Sequence, residues 1–217
     1  RICGICPVAY QMSAAYALEN ALGIKISPQA RALRRLMYCG EYIESHALHI
    51  YMLQAPDLLG KQSALELAAD MPEVVKNALR LKKIGNELLK AIGGRSVHPV
   101  NVCVGGFYSW PDAKTLKGLL PDLEWGLNAA LETVKLALTL TYPELEIDYE
   151  FVALHHPDEY GVIEGDVLSS RGRRLSIAEY ENGYIEEHVR HSNALHSRTV
   201  DSNTYLVRSE ERRVGKE

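Results

Sequence analysis

The chain has 217 residues, 47% of them hydrophobic and 24% charged, which is enough apolar material for one sizeable core or two small ones. A net charge of −4 argues against the basic surface that nucleic acid or anionic lipid needs. No apolar run approaches the roughly 18 residues of a membrane span, no signal peptide is visible, and four cysteines are too few for a disulfide scaffold.

In chain order, Pro7 stands at a natural first-turn position. Val8 to Leu22 are good helix formers, and Gly23 is a plausible stop. Cys3 and Cys6, in RICGICPVAY, then lie at or just before a helix N-terminus. The exposed N–H groups and the dipole there are expected to lower a thiol pKa. Ser27 and Pro28 form an N-cap and N1 pair for a second helix from about Gln29 to Leu53, with Pro56 expected to end it. Leu33, Leu36, Met37, Gly40, Ile43, Ala47, Ile50 and Tyr51 mark its apolar stripe, and its length predicts a core-crossing helix of a bundle. Ser63 is expected to cap a short turn. Pro72 opens another helix that Gly93–Gly94 close.

GGRSVHPVNVCVGGFYSWP reads as a loop with short extended pieces, and Pro111 or Pro121 starts a further long helix. After Pro143, LEIDYEFVALHH, EYGVIEGDVLSS and RRLSIAEYE read as short strands with turns. The predicted fold is mainly α, a long-helix bundle with a small β-rich appendage. Residues 1–142 form the helical core carrying the thiol motif, 143–207 a mixed β-rich and helical segment, and 208–217 a polar tail, RSEERRVGKE, expected to be non-native.

By residue chemistry alone the CxxC pair leaves three readings open: half of a zinc site, a redox dithiol, or two structural thiols. Soft sulfur donors suit several transition metals. Cys39 and Cys103 sit in apolar surroundings and read as small buried hydrophobes.

Three segments, RICGICPVAYQ, SHALHIYMLQAPDLLG and GGRSVHPVNVCVGGFYSWP, occur in this order. Together they resemble the large catalytic subunit of nickel–iron hydrogenases, specifically the cytoplasmic multimeric class coupled to NAD or NADP. The resemblance runs from Arg1 to about Val207. Arg1, Cys3, Gly4 and Cys6 match the family's opening motif. Tyr10 stands where the family often has histidine, so that residue's role is not carried over.

The resemblance implies a binuclear nickel–iron centre whose iron carries diatomic ligands, with Cys3 a terminal nickel ligand and Cys6 a bridge between nickel and iron. It implies a supporting role for Arg1 around the site and, through the glycine-flanked loop, for His98. It further implies reversible oxidation of dihydrogen, with electrons leaving through an iron–sulfur small subunit to flavin-bearing NAD(P) diaphorase subunits. Iron–sulfur clusters and flavin are expected only on those partners, since this chain has too few cysteines. A second cysteine pair and a proton-relay glutamate of the family have no match here. The chain is therefore expected to be an inactive fragment of its parent. The alternatives are a quinone-side complex I relative without nickel–iron chemistry, against which the cysteine pair argues, and a zinc-binding module.

The remaining candidates have plainer readings. His46 and His49 share a helix face and are expected to be buried imidazoles bonded to backbone or carboxylate. Glu44 either pairs with a Lys or Arg or faces solvent, and a solvated helix face is the expectation. His155–His156 look like a turn, and His188, His191 and His196 like an exposed amphipathic helix.

Overall fold

Proline and glycine punctuate the helical part as their backbone chemistry requires. The computed structural model describes residues 3–144 and 146–207. Arg1 and the tail 208–217 lie outside them. Two compact units divide after Pro143.

In the first unit, α1 (Pro7–Leu22) has its proline at N1 and ends at Gly23, whose φ of 66° is the left-handed conformation that glycine adopts without penalty. α2 (Pro28–Leu48) starts at Ser27, whose Oγ accepts the Ala30 N–H at 3.1 Å. The helix does not stop at Pro56 as expected. It widens into a π turn over His49–Gln54 and continues as α3 (Ala55–Leu58). Proline has no N–H to donate and its ring crowds the preceding turn. The wider turn, in which the Ala55 N–H donates to Ile50 O, accommodates it without breaking the run. Ser63 caps α4 (Ala64–Asp70). α5 (Pro72–Gly93) ends at Gly94, with φ 81°. A two-residue hairpin, β1 (Val102–Cys103) with β2 (Gly106–Phe107), precedes α6 (Ala113–Gly118) and α7 (Leu120–Ala137).

The core joins α1, α2 and α5 through Val8, Met12, Met37, Leu88, Leu89 and Ile92. Val102, Phe107, Leu116 and Leu119 pack on it. α2 and α5 cross at two glycines, Gly40 and Gly85, whose backbones nearly touch. The buried face of α2 is Ala30, Arg34, Met37, Gly40, Glu41, Glu44 and Ala47, so three charged residues lie among the apolar ones. Arg34 is fully buried. Its two terminal nitrogens grip Glu19 of α1 at 2.9 and 2.6 Å, and one also donates to Cys103 O at 3.0 Å. Glu19 in turn accepts the Gly105 N–H at 2.8 Å. The pair ties three segments of chain together. Cys39 is exposed on α2 and Cys103 half-buried, so neither is the buried hydrophobe expected.

The second unit holds β3 (Glu150–His155), β4 (Asp166–Ser169), β5 (Arg174–Ser176), β6 (Tyr184–His188), β7 (Leu195–Thr199) and β8 (Tyr205–Val207). Four strands form a sheet in the order β5-β4-β3-β8, with β8 parallel to β3 and the other pairs antiparallel. A 3-10 turn, Ile177–Asn182, starts with a capping box between Ser176 and Glu179. The segment carrying His188, His191 and His196 is not a helix. It is the antiparallel β6–β7 hairpin, with Glu187 opposite His196 and His188 opposite Leu195. Backbone pairing across the hairpin overrides the weak helical spacing of three polar residues. The fold is mainly α with a small β-rich part, as the sequence predicts.

Candidate metal centre

The first turn of α1 presents both thiols. Cys6 is the N-cap residue and Pro7 is N1. Cys3, two residues before Ile5, accepts the Ile5 N–H at 3.3 Å and is exposed. Cys6 is partly buried. The two thiols are close enough to act on each other's charge. Their environments pull in opposite directions. The N–H groups of Ile5 and Cys6, then the Cys6 thiol, lower the Cys3 pKa. Burial, then the Cys3 sulfur and the Glu41 charge, raise that of Cys6. The uniform lowering expected from the helix dipole therefore holds for Cys3 and not for Cys6. The difference is mainly one of burial, to which the Cys3 sulfur and the nearby Glu41 charge add.

Glu41 reaches from α2 to the mouth of α1. It accepts the Val8 N–H at 2.6 Å and the Ala9 N–H at 3.2 Å, and is 3% exposed. Burial pushes its pKa up to about 7, against the opposing pull of those two N–H groups, and Glu44 adds to the rise. Glu44 itself is buried and receives Lys82 Nζ at 2.8 Å, which corrects the expectation of a solvated side chain.

A second wall of the site is the loop after α5. Gly4 lies between the two cysteines, and a methyl group built on it would sit 3.6 Å from His98 Nε2 and 3.5 Å from Val97 Cγ1. The fold thus brings His98 to the thiol motif. His98 has φ 51°, a left-handed backbone that a non-glycine residue adopts at a cost, and such strain concentrates at functional sites. The loop is held from both sides. Gln11 Nε2 of α1 donates to Pro99 O. Asn101 Nδ2 donates to Ile92 O at 2.8 Å and Ser109 O at 2.7 Å, while its Oδ1 accepts the Ser109 N–H at 2.9 Å. Gly93 packs under Pro99 so closely that an added Cβ would lie 2.5 Å from the proline Cβ.

His46 Nδ1 is 2.7 Å from Tyr42 O, bonded to backbone as expected but half-buried where a buried ring was expected; His49, also half-buried, has its Nε2 3.2 Å from Gln54 Nε2, a side-chain amide in place of the expected backbone or carboxylate. His156, in the turn after β3, accepts the Asp158 N–H. Tyr10 is exposed.

Comparison with known proteins decides the family. The model for nickel-dependent hydrogenases matches residues 1–77. Sulfhydrogenase 1 subunit alpha of Pyrococcus furiosus is 34% identical over 200 residues, 91% of this chain and 46% of the relative. The chain belongs to the nickel-dependent hydrogenase family. The beta subunit of the NAD-reducing hydrogenase HoxS of Cupriavidus necator is 32% identical over 119 residues, 49% of this chain and 24% of the relative. A crystal structure of an NAD+-reducing nickel–iron hydrogenase in its H2-reduced state superposes with a TM-score of 0.80 over 94% of this chain and 51% of its own, at 24% identity, which establishes the shared fold. The chain spans about half the length of the first of these relatives.

For a hydrogenase metal centre the donor set here is apt but partial. Two mutually adjacent sulfurs, one open to solvent, are soft donors suited to nickel and iron. Among the described residues no group of three or more His, Cys, Asp or Glu gathers to hold a metal. The thiol pair by itself offers two sulfur donors. Also among the described residues, no helix is long and apolar enough to cross a membrane.

Sequence reading missed Glu41. A signal was present. Arg34, Glu41 and Glu44 recur with Met37 at helical spacing, and charges on such a stripe mark buried partners on neighbouring helices.

Proposed function

We propose that this chain carries the amino-proximal half of the ligand set of a hydrogenase large subunit, with Cys3 a terminal nickel ligand and Cys6 a bridge between nickel and iron. The observation that carries the reading is the thiol pair itself. It stands at the first turn of α1, backed by a buried carboxylate and flanked by a strained histidine loop, in a chain of the nickel-dependent hydrogenase family. When bound, the nickel–iron centre supplies the Lewis-acidic, redox-active site at which dihydrogen separates into two protons and two electrons.

The chain's residues hold and shape that site. Cys3 stays accessible, its charge favoured by backbone N–H groups. Cys6, partly buried, gives up its proton on metal binding, since the ligand is the thiolate. His98 stands against Gly4 and serves as an outer hydrogen-bonding group that orients the sulfurs. Arg1, adjoining in sequence, is assigned the same kind of role from the motif. Electrons leave through an iron–sulfur partner, since four cysteines, two of them assigned to the metal centre, are too few for clusters in these 217 residues. The naming of one relative as NAD-reducing supports a pyridine nucleotide as final acceptor, the balance being H2 + NAD(P)+ → NAD(P)H + H+.

The test uses the purified multisubunit protein under hydrogen. It is expected to reduce a viologen dye and NAD(P)+, and Cys6→Ser is expected to abolish both. His98→Ala should retain the fold and lower metal affinity about 10- to 100-fold. Full hydrogen-dependent reduction by Cys6→Ser would refute the assignment.

A further inference from the structure

The N-cap side chain of a helix ordinarily accepts the N–H of N2 or N3. In α1 the N-cap is Cys6, N1 is Pro7, N2 is Val8 and N3 is Ala9. Cys6 makes no such bond. Both protons go instead to one carboxylate on α2, Glu41, with Oε2 2.6 Å from Val8 N and Oε1 3.2 Å from Ala9 N. Serine or aspartate at position 6 would satisfy the same amides locally, without burying a distant charge. The chain places a thiol there and draws the cap from a residue 33 positions away.

We propose that Glu41 is a positioning residue for the thiol pair: by accepting the N2 and N3 amides of α1 it fixes the first turn against α2 and leaves the Cys6 sulfur free to bind metal. This rests on the assignment of Cys3 and Cys6 as ligands. Without Glu41, capping those amides falls to the N-cap side chain, whose acceptor is the Cys6 sulfur. A sulfur turned inward to cap the helix is turned away from a metal. The arrangement separates two duties that compete for one atom, and α2 carries the second of them. Gly40 and Glu44, on the same buried face, set how close α2 comes to α5 and so where Glu41 stands.

Two readouts test this in the intact purified hydrogenase. The first is nickel and iron per large subunit, together with the infrared bands of the diatomic ligands on iron. Glu41→Leu keeps the bulk and removes both acceptors. It is expected to lower nickel retention about tenfold or more, or to shift the infrared bands. Glu41→Gln, which keeps one acceptor for Val8, is expected to retain metal with a smaller band shift. Unchanged nickel and unshifted bands in both variants would overturn the proposal, and Glu41→Gln alone decides it if Glu41→Leu does not fold.

The second readout is the melting temperature of the metal-free protein, which needs no metal chemistry. Glu41→Leu, or Glu41→Gln in its place, is expected to lower it, and adding Cys6→Asp, a local cap, is expected to recover more than half of the loss. No recovery would overturn the capping argument. Wild-type protein without nickel would defeat the ligand assignment instead, with the recovery experiment still judging the cap.

Discussion

Replacing Arg34 by alanine is expected to destabilise the protein by about 3–5 kcal/mol, the range for removing one partner of a buried ion pair. Arg34 is fully buried, and its loss leaves the Glu19 carboxylate, itself 3% exposed, with only the Gly105 N–H, while Cys103 O loses its donor. A typical domain has about 5–15 kcal/mol in total, so the variant should melt far below the wild type or accumulate as unfolded chain. The control is the apolar double variant Arg34→Met with Glu19→Leu. It buries no charge and should recover much of the loss, short of the two backbone groups it leaves unpaired, at about 1–3 kcal/mol each.

The same pair sets an acid limit. Hydrogen bonding from Arg34, outweighing burial, holds the Glu19 pKa below its ordinary value of 4.5. Because the folded value is the depressed one, this contribution is complete above pH 4.5 and is lost as pH falls through the folded value. Urea titrations from pH 7 to pH 3 should show the acid slope in wild type and a shallower one in the double variant.

Gly85→Ala should also destabilise strongly, against the usual trend. Glycine in a helix interior is about 0.5–1 kcal/mol worse than alanine, so the substitution commonly helps. At Gly85 the new Cβ would lie 2.5 Å from Gly40 O and 2.7 Å from Glu44 N, both backbone atoms of α2 that cannot rotate aside. The helices must separate, at about 1–3 kcal/mol or more. Separation moves the segment that bears Glu41 and Glu44, so metal retention should fall along with stability. Gly118→Ala, where an added Cβ meets nothing within 4 Å, is the matched control and should be neutral or stabilising by thermal melting. Equal effects at the two positions would show that the α2–α5 crossing is looser than described.

The helices were legible because their ends are written locally. Ser27 with Pro28, Pro72, and the glycines at 23 and 94 each act on their own backbone, with no partner needed. What could not be read depends on pairing across distance. The β6–β7 hairpin and the parallel β3–β8 contact are specified by strands far apart in sequence, and the short, partly polar segments carry little alternation. Continuation through Pro56 depends on a π turn that no single residue announces. At the site, the motif made Cys3, Cys6 and His98 legible as candidates, and the fold sets His98 beside Gly4. Glu41 escaped because a glutamate between tyrosine-rich neighbours looks solvated until the helix end it caps is known.

The assignment on which the rest depends is that Cys3 and Cys6 bind the nickel of a nickel–iron centre. Nickel-edge X-ray absorption on the purified, fully assembled protein tests it most directly, in wild type and in Cys3→Ser. A nickel–sulfur shell is expected in wild type, and loss of nickel, or of part of that shell, in the variant. A wild-type protein that holds zinc in place of nickel, or a sulfur shell unchanged by Cys3→Ser, would contradict it.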